Sequence, residues 1–394
     1  FHITEVAHRS DECILRSMAV STQDRYDIGH FAENASNGIL SDIWNAWYNG
    51  IYRCNDVLDH MPETVEGKMA QYKAEALFLR SWWYFSLYRC FGGVPLVTKV
   101  ETPADSKMVP RCTSEQMYTR LVEDLTYAAA NLPAKRSAEL ARVTKIAAQA
   151  LLGKVHLTFA KYPEAEAILE EAMKDPEYGL MESTAAVFDI ANKGKNNKEF
   201  IFMLYYNKSN DNGHGYWYSA STSVKEDIQN PTKEFKTIYD QAKDNRFTLI
   251  DDYVQITGSV YAMKKWNDTY DATYTTQVGN DYPHLRYSDV VLMYAEALAQ
   301  QGRVSDACPY LNQTRMRAGL DEFTTNDKAA FIRELAAERG REFALEGQRW
   351  FDLVRLGLAG EVLGADDVHL VFPIPNDQIE IVNDNSILWQ NPGF

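Results

Sequence analysis

No run of about 18 consecutive apolar residues occurs in the chain, so no segment reads as a membrane-spanning helix. A charged start followed by an apolar stretch is also missing from the first residues. The chain begins at Phe1 without Met, and these residues read as the inside of a domain, so the chain is expected to be trimmed, with room for a signal peptide or lipid-anchoring cysteine before it. Cysteine is scarce. The five, Cys13, Cys54, Cys90, Cys112 and Cys308, form no CxxC pair, and none has metal-site spacing to the eight histidines. They read as isolated, largely buried thiols, with a single disulfide left open. Excess positive charge is lacking as well. Forty Lys and Arg face 55 Asp and Glu, a formal net charge of −15, which repels phosphate backbones and argues against nucleic-acid binding. No GxSxG elbow, HExxH pair or Gly-rich phosphate loop is present; "FGGVPL" has the glycines but neither the lysine nor the helix start. Asp251, Asp252 and the 268–271 stretch do not follow the EF-hand ligand pattern, so calcium is conceivable there but not indicated, and no cofactor is expected.

What is abundant is aromatic surface: 23 Tyr and 8 Trp in 394 residues. A core takes Leu, Ile and Val first, so part of this set is expected to face a ligand or partner.

Hydrophobic periodicity makes the first part helical. "SDIWNAWYNGIYRCNDVLDHM" has apolar residues at Ile43, Trp44, Trp47, Tyr48, Ile51, Val57 and Leu58, with Ser41 as N-cap and Pro62 closing it. "KMAQYKAEALFLRSWWYFSLYRCFGG" reads as a second helix, apolar nearly all round from Ala74 to Phe91 and so expected to be buried, ending at Gly92 and Gly93. "ALLGKVHLTFAKYPEAEAILEEAM" and "VVLMYAEALAQQGRVSDACPYLNQTRMRAG" repeat one pattern, two helices around a short turn, with Ser305 capping and Pro309 in the first turn. Such pairs bury their faces only by stacking. The fold class is therefore mainly α, tetratricopeptide-like helix pairs forming a scaffold, with a loop-rich lobe of few short strands. Four parts follow: an N-terminal helical part (1–175), an irregular lobe (176–286), a C-terminal helical part (287–358) and an extended C-terminal tail (359–394), nearly helix-free from His369 onward.

These segments resemble, in order, the SusD/RagB family of glycan-binding surface lipoproteins. Trp44, Tyr48, Ile51 and Asn55 match its W-x3-Y-x2-I-x3-N helix. "AEALFLRSWWYFSLYRCFGGVPLV" matches its AEA-x-FLRA…GGVPL signature, with Ser81 where Ala is usual. "RYSDVVLMYAEAL" and "LNQTRMRAGL" carry Asp289 for Glu and Thr314 for Val. "ERGREFALEGQRWFDLVRLG", "FPIP" and the closing "QNPGF" complete the set. The resemblance implies helix pairs supporting an irregular lobe, an N-terminal lipid anchor at the outer-membrane cell surface, and a SusC-like TonB-dependent transporter as partner. It implies a non-catalytic protein that gathers oligo- or polysaccharide for that transporter. A peptide or glycoprotein ligand on the same fold, a glycoside hydrolase and a plain tetratricopeptide scaffold are the alternatives.

Glu334, Glu338, Glu342 and Glu346 recur every four residues. Like charges at that spacing repel by about 0.2–0.5 kcal/mol per pair on a helix. They read either as catalytic carboxylates of a glycosidase or as an ion-pair network with Arg339, Arg341, Arg349 and Arg355. Arginines this close keep carboxylates ionised, which favours the network. The helical tryptophans, Trp350 and Trp389 read as packing.

The ligand candidates lie in loops. A sugar's C–H face suits an aromatic ring, and its hydroxyls want polar partners at the rim. "NDNGHGYWYSAST" offers Tyr216, Trp217 and Tyr218; the stretch around residue 266 offers Tyr261, Trp266 and Asn267. A second polar-aromatic loop, residues 24–38, offers Tyr26, Phe31, Asn34 and Asn37.

Overall fold

Asn37 sets where the first long helix begins. Its backbone is extended and its side chain accepts the Leu40 N–H at 3.3 Å, filling one donor that a helix start leaves orphaned. The helix therefore starts at Gly38, one turn before the expected Ser41 cap. The computed structural model describes residues 7–13, 23–134, 136, 142–206, 219–221, 231–257, 260–266 and 279–394, with only the backbone at 219–221, 253–257 and 260–262.

A short helix, α1 (Gln23–Gly29), leads into α2 (Gly38–Asp59), α3 (Gly67–Phe91), α4 (Ser114–Asn131), α5 (Lys145–Thr158) and α6 (Tyr162–Met173). Each of α2 to α6 packs against the next. Apolar residues wrap α3 because α2 and α4 flank it; Phe78, Tyr84, Phe85 and Phe91 are all buried. The turn between α5 and α6 is tight. A Cβ on Gly153 would lie 2.5 Å from Leu169 Cδ2, so only glycine lets the pair close at this point.

The array then resumes across a long insertion. α7 (Tyr287–Gln300) packs on α6 and α5, followed by α8 (Val304–Arg317) and α9 (Lys328–Glu342) against it. Arg303, not Ser305, is the N-cap of α8, and Pro309 lies in its second turn rather than its first. α10 (Arg349–Arg355) follows on α9. The fold is mainly helical, with helix pairs stacked as the pattern predicts.

Within the insertion, β1 (Phe200–Leu204) pairs antiparallel with β5 (Tyr282–Arg286), which runs straight into α7. A second sheet has the order β2 (Ser219–Ser221), β4 (Val260–Met263), β3 (Tyr253–Thr257). The tail corrects an expectation. It holds a short helix at Ala359–Leu363 and another, α11 (Asn376–Val382), so the part beyond His369 is not nearly helix-free. Its short helices carry too few residues to show a period. All five cysteines are free thiols.

Candidate functional site

The signature residues serve the scaffold. Arg80 donates to both Asp124 oxygens at 2.8 and 2.9 Å, to Asn55 Oδ1 at 3.0 Å and to the Thr98 carbonyl at 3.0 Å. Asn55 donates to the Val97 carbonyl at 2.9 Å, and the Tyr84 hydroxyl bonds both backbone groups of Val97. Tyr48 donates to the Pro95 carbonyl at 2.7 Å. Side chains thus satisfy an extended segment that, among the described residues, has a single bridge, Pro95 to Arg111, as its strand pairing. The closing motif works the same way. Asn391 donates to the carbonyls of Phe91 and Phe372 at 3.0 and 2.7 Å, and Gln390 brackets both backbone groups of Ile374.

Glu338, Glu342 and Glu346 of the four-residue series lie in a buried ion network, with Glu334 at its half-buried edge. Arg246 bonds Asp244, Glu338 and Glu342 at 2.7–3.0 Å. Arg286 bonds Glu199, Glu342 and Glu346 at 2.5–2.9 Å, and Arg317 bonds Glu199 and Glu342 at 2.6 and 2.5 Å. Lys265 reaches Glu346 at 2.7 Å; Arg315 and Arg341 close the set through Glu334 and Glu338. Burial opposes charge on Glu338 and Glu342, but the surrounding guanidiniums overcome it and hold both carboxyls below the usual range. A general acid needs the opposite shift. Thr314, a departure from the family pattern, joins the network by donating to Glu338 Oε1 at 2.6 Å. Asp289, the other departure, pairs with Lys154 at 2.6 Å and Arg339 at 2.8 Å. The glutamate period outlives its helix: α9 ends at Glu342, and Glu346 belongs to the turn beyond.

The 24–38 stretch, expected to be a loop, begins inside α1, so Tyr26 is helical; the turn that follows is anchored by Arg9. Arg9 is buried, pairs with Glu33, donates to the His369 carbonyl at 2.7 Å and lies 4.6 Å from the Phe31 ring centroid. Phe31 (φ 55°) also meets Trp350 and His369, so its ring belongs to this anchor rather than to an open platform. Asn37 is buried as the cap of α2 and donates to the Asp24 carbonyl at 2.9 Å. Two of the four loop candidates therefore hold structure. The other two present accessible groups. Tyr26 stacks on the exposed His30 at 3.8 Å with an interplanar angle of 18°, a ready aromatic ledge. Asn34 is exposed, with its Oδ1 turned back to the Ser36 N–H at 2.8 Å.

Trp266 departs from its expected role. It is 4% exposed, stacked on Tyr282 at 5.4 Å and edge-on to Phe188 at 5.1 Å, so no face is left for a sugar. Tyr261 lies in β4, opposite Ala220 and Gln255, and only its backbone is described. Tyr216, Trp217, Tyr218 and Asn267 lie outside the described residues. Trp389, expected to pack, is half-open: it is 44% exposed, with the Arg111 guanidinium 5.0 Å from its ring centroid. No sequence signal distinguished it, because it sits inside a packing motif.

Comparison with known proteins matches this geometry. The family profile described as "SusD family" covers residues 245–370, and one described as "Starch-binding associating with outer membrane" covers residues 3–157. The SusD-like protein P2 of Formosa agariphila is 27% identical, over 94% of this chain and 84% of its own. A SusD-like protein of Bacteroides fragilis has a similar fold (TM-score 0.85, 23% identity, 100% of this chain and 94% of that one). So does surface glycan-binding protein A of Bacteroides thetaiotaomicron, solved with laminarihexaose (TM-score 0.80, 21% identity, 99% and 93% coverage). With two profiles at either end of the chain, and a helical scaffold clamped by the very residues of the family motifs, the chain belongs to the SusD/RagB family.

Proposed function

We propose that this chain is a non-catalytic glycan-binding protein of the bacterial cell surface. It captures oligo- or polysaccharide and passes it to a SusC-like TonB-dependent outer-membrane transporter, held nearby by an N-terminal lipid anchor. The observation that carries the reading is family membership joined to the fold it shares with a surface glycan-binding protein that holds laminarihexaose. The loops support it. The Tyr26–His30 ledge offers a ring face for a pyranose, and Asn34 offers an amide at its edge. Tyr216, Trp217, Tyr218, Tyr261 and Asn267 of the lobe are proposed to complete the surface. Rigid rings lose little entropy on binding, which suits a protein that must capture and then release. The division into helical parts and one ligand-bearing lobe is part of the same proposal.

Affinity electrophoresis against a panel of polysaccharides, including laminarin and starch, tests it. Retardation by at least one glycan without release of reducing ends is the expected result. Mobility unchanged by every glycan, with binding of basic peptides instead, would replace the glycan by a peptide ligand. Turnover lost on Glu338→Gln would make the protein a hydrolase.

A further inference from the structure

A cavity of about 210 Å³ opens where the C-terminal end of α3 meets α5, α10 and the tail. Its wall includes Tyr88, Arg89, Lys154, Phe351, Leu370 and Val371. The other charges around it are already matched. Lys154 pairs with Asp289 at 2.6 Å; Arg339 pairs with Asp289 and Asp352, each at 2.8 Å. Arg355 pairs with Asp352 at 2.8 Å and with Glu296. Three cations meet three carboxylates, and the set is neutral. Arg89 stands apart. It forms no ion pair among the described residues, and its Nε is buried without a hydrogen-bond partner. Its guanidinium lies 4.4 Å from the Phe85 ring centroid and 4.0 Å from that of Phe351. The rings hold the plane of the group and leave its N–H edge unused. Burial lowers its pKa to about 10, so it is still a cation at neutral pH.

We propose that this cavity binds a monocarboxylate with a compact, largely apolar body, and that Arg89 is the residue that anchors it. One negative charge balances Arg89, the cation left unmatched around the cavity among the described residues. A carboxylate fits the two Nη groups at the accessible end of the guanidinium in parallel hydrogen bonds, which a cation without a partner carboxylate favours. Phe351, Leu370 and Val371 receive the body, and the volume suits a single six-membered ring. Two sources share this chemistry: a free organic acid, and a uronic acid at the end of an acidic glycan.

Calorimetry with sodium benzoate and sodium glucuronate, alongside the neutral benzamide and glucose, tests the site. The expected result is binding of at least one carboxylate, with its neutral counterpart weaker by about tenfold or more. Preference for benzoate indicates the free acid; preference for glucuronate indicates the glycan end. Arg89→Met should abolish carboxylate binding and leave the melting temperature unchanged or higher, since it removes an unpaired charge. Arg89→Lys should retain weakened binding. Thr158→Phe, which fills the cavity and leaves Arg89 in place, should block binding too, so the test survives if Arg89→Met does not fold. Failure of both carboxylates to bind the natural chain, equal binding of the neutral compounds, or affinity unchanged by Thr158→Phe would overturn the proposal.

Discussion

Glu12 is a side chain whose surroundings oppose its charge. Its Oε1 accepts the Leu345 N–H at 3.0 Å inside a closed site. Burial raises its pKa to about 8; nearby Asp11 adds to this, while the Leu345 N–H, Arg349 and Lys265 act against it. Between the ordinary glutamate value near 4.3 and about 8, the folded chain holds a proton that the unfolded chain has lost. Glu12 therefore makes stability fall as pH rises through that window and become flat above it. Glu12→Gln should remove that slope and gain most at pH 8, with little difference at pH 4.5; denaturant midpoints at the two values check it. Equal pH slopes for variant and natural chain would show that Glu12 is ionised throughout. Residue scale is also where the sequence was least legible. Trp266 and Trp389 carry the same ring, yet one is enclosed and the other open. The difference lies in Phe188 and Tyr282, which reach Trp266 from distant parts of the chain, and such contacts leave no local pattern.

At the scale of elements, periodicity served well wherever a helix was long. The wraparound apolar pattern of α3 was legible as burial, because a helix flanked on two sides has no polar face to show. Boundaries were less legible. Asn37 and Ser41 are both good capping residues, and Asn37 prevails because it also donates to the Asp24 carbonyl from α1. Ser41 is then free to donate to Asp377 at the start of α11, at 2.9 Å. The α5–α6 pair gives the sharpest elemental test. Gly153→Ala places a methyl against Leu169, and a close-packed seam yields little, so the change should cost about 1–3 kcal/mol. Thermal unfolding of the variant measures it. A variant as stable as the natural chain would mean that the seam can open at no cost.

At the scale of the molecule, one ion network ties lobe to scaffold. Asp244, Arg246, Glu199 and Lys265 come from the insertion, while Glu338, Glu342, Arg317 and Arg341 come from α8 and α9. Arg286→Met would leave Glu199, Glu342 and Glu346 short of a partner, and breaking a buried pair costs about 3–5 kcal/mol. The same carboxylates predict acid sensitivity. Glu338, Glu342 and Asp352 titrate below their unfolded values, so their contribution is complete above about pH 5 and is lost as pH falls through the carboxylate range. Denaturant midpoints between pH 3 and 6 should drop in the natural chain and drop less in Arg286→Met.

This division explains what could be read from sequence. The family motifs fell on residues that clamp backbone and carry buried charge, so they revealed the scaffold. The residues proposed to meet a ligand lie where the fold does not fix side-chain identity, so no motif marks them. The motifs build the scaffold, and Tyr26 of α1 with the lobe aromatics is proposed to bind the glycan. Titration calorimetry with laminarihexaose and a panel of other oligosaccharides tests it most directly, on the natural chain, Tyr26→Ala and Trp217→Ala. The account predicts that an oligosaccharide binds, that each ring removal weakens it by about tenfold, and that melting temperatures stay unchanged. Binding that survives the loss of both rings, or no glycan bound by the natural chain, would contradict it.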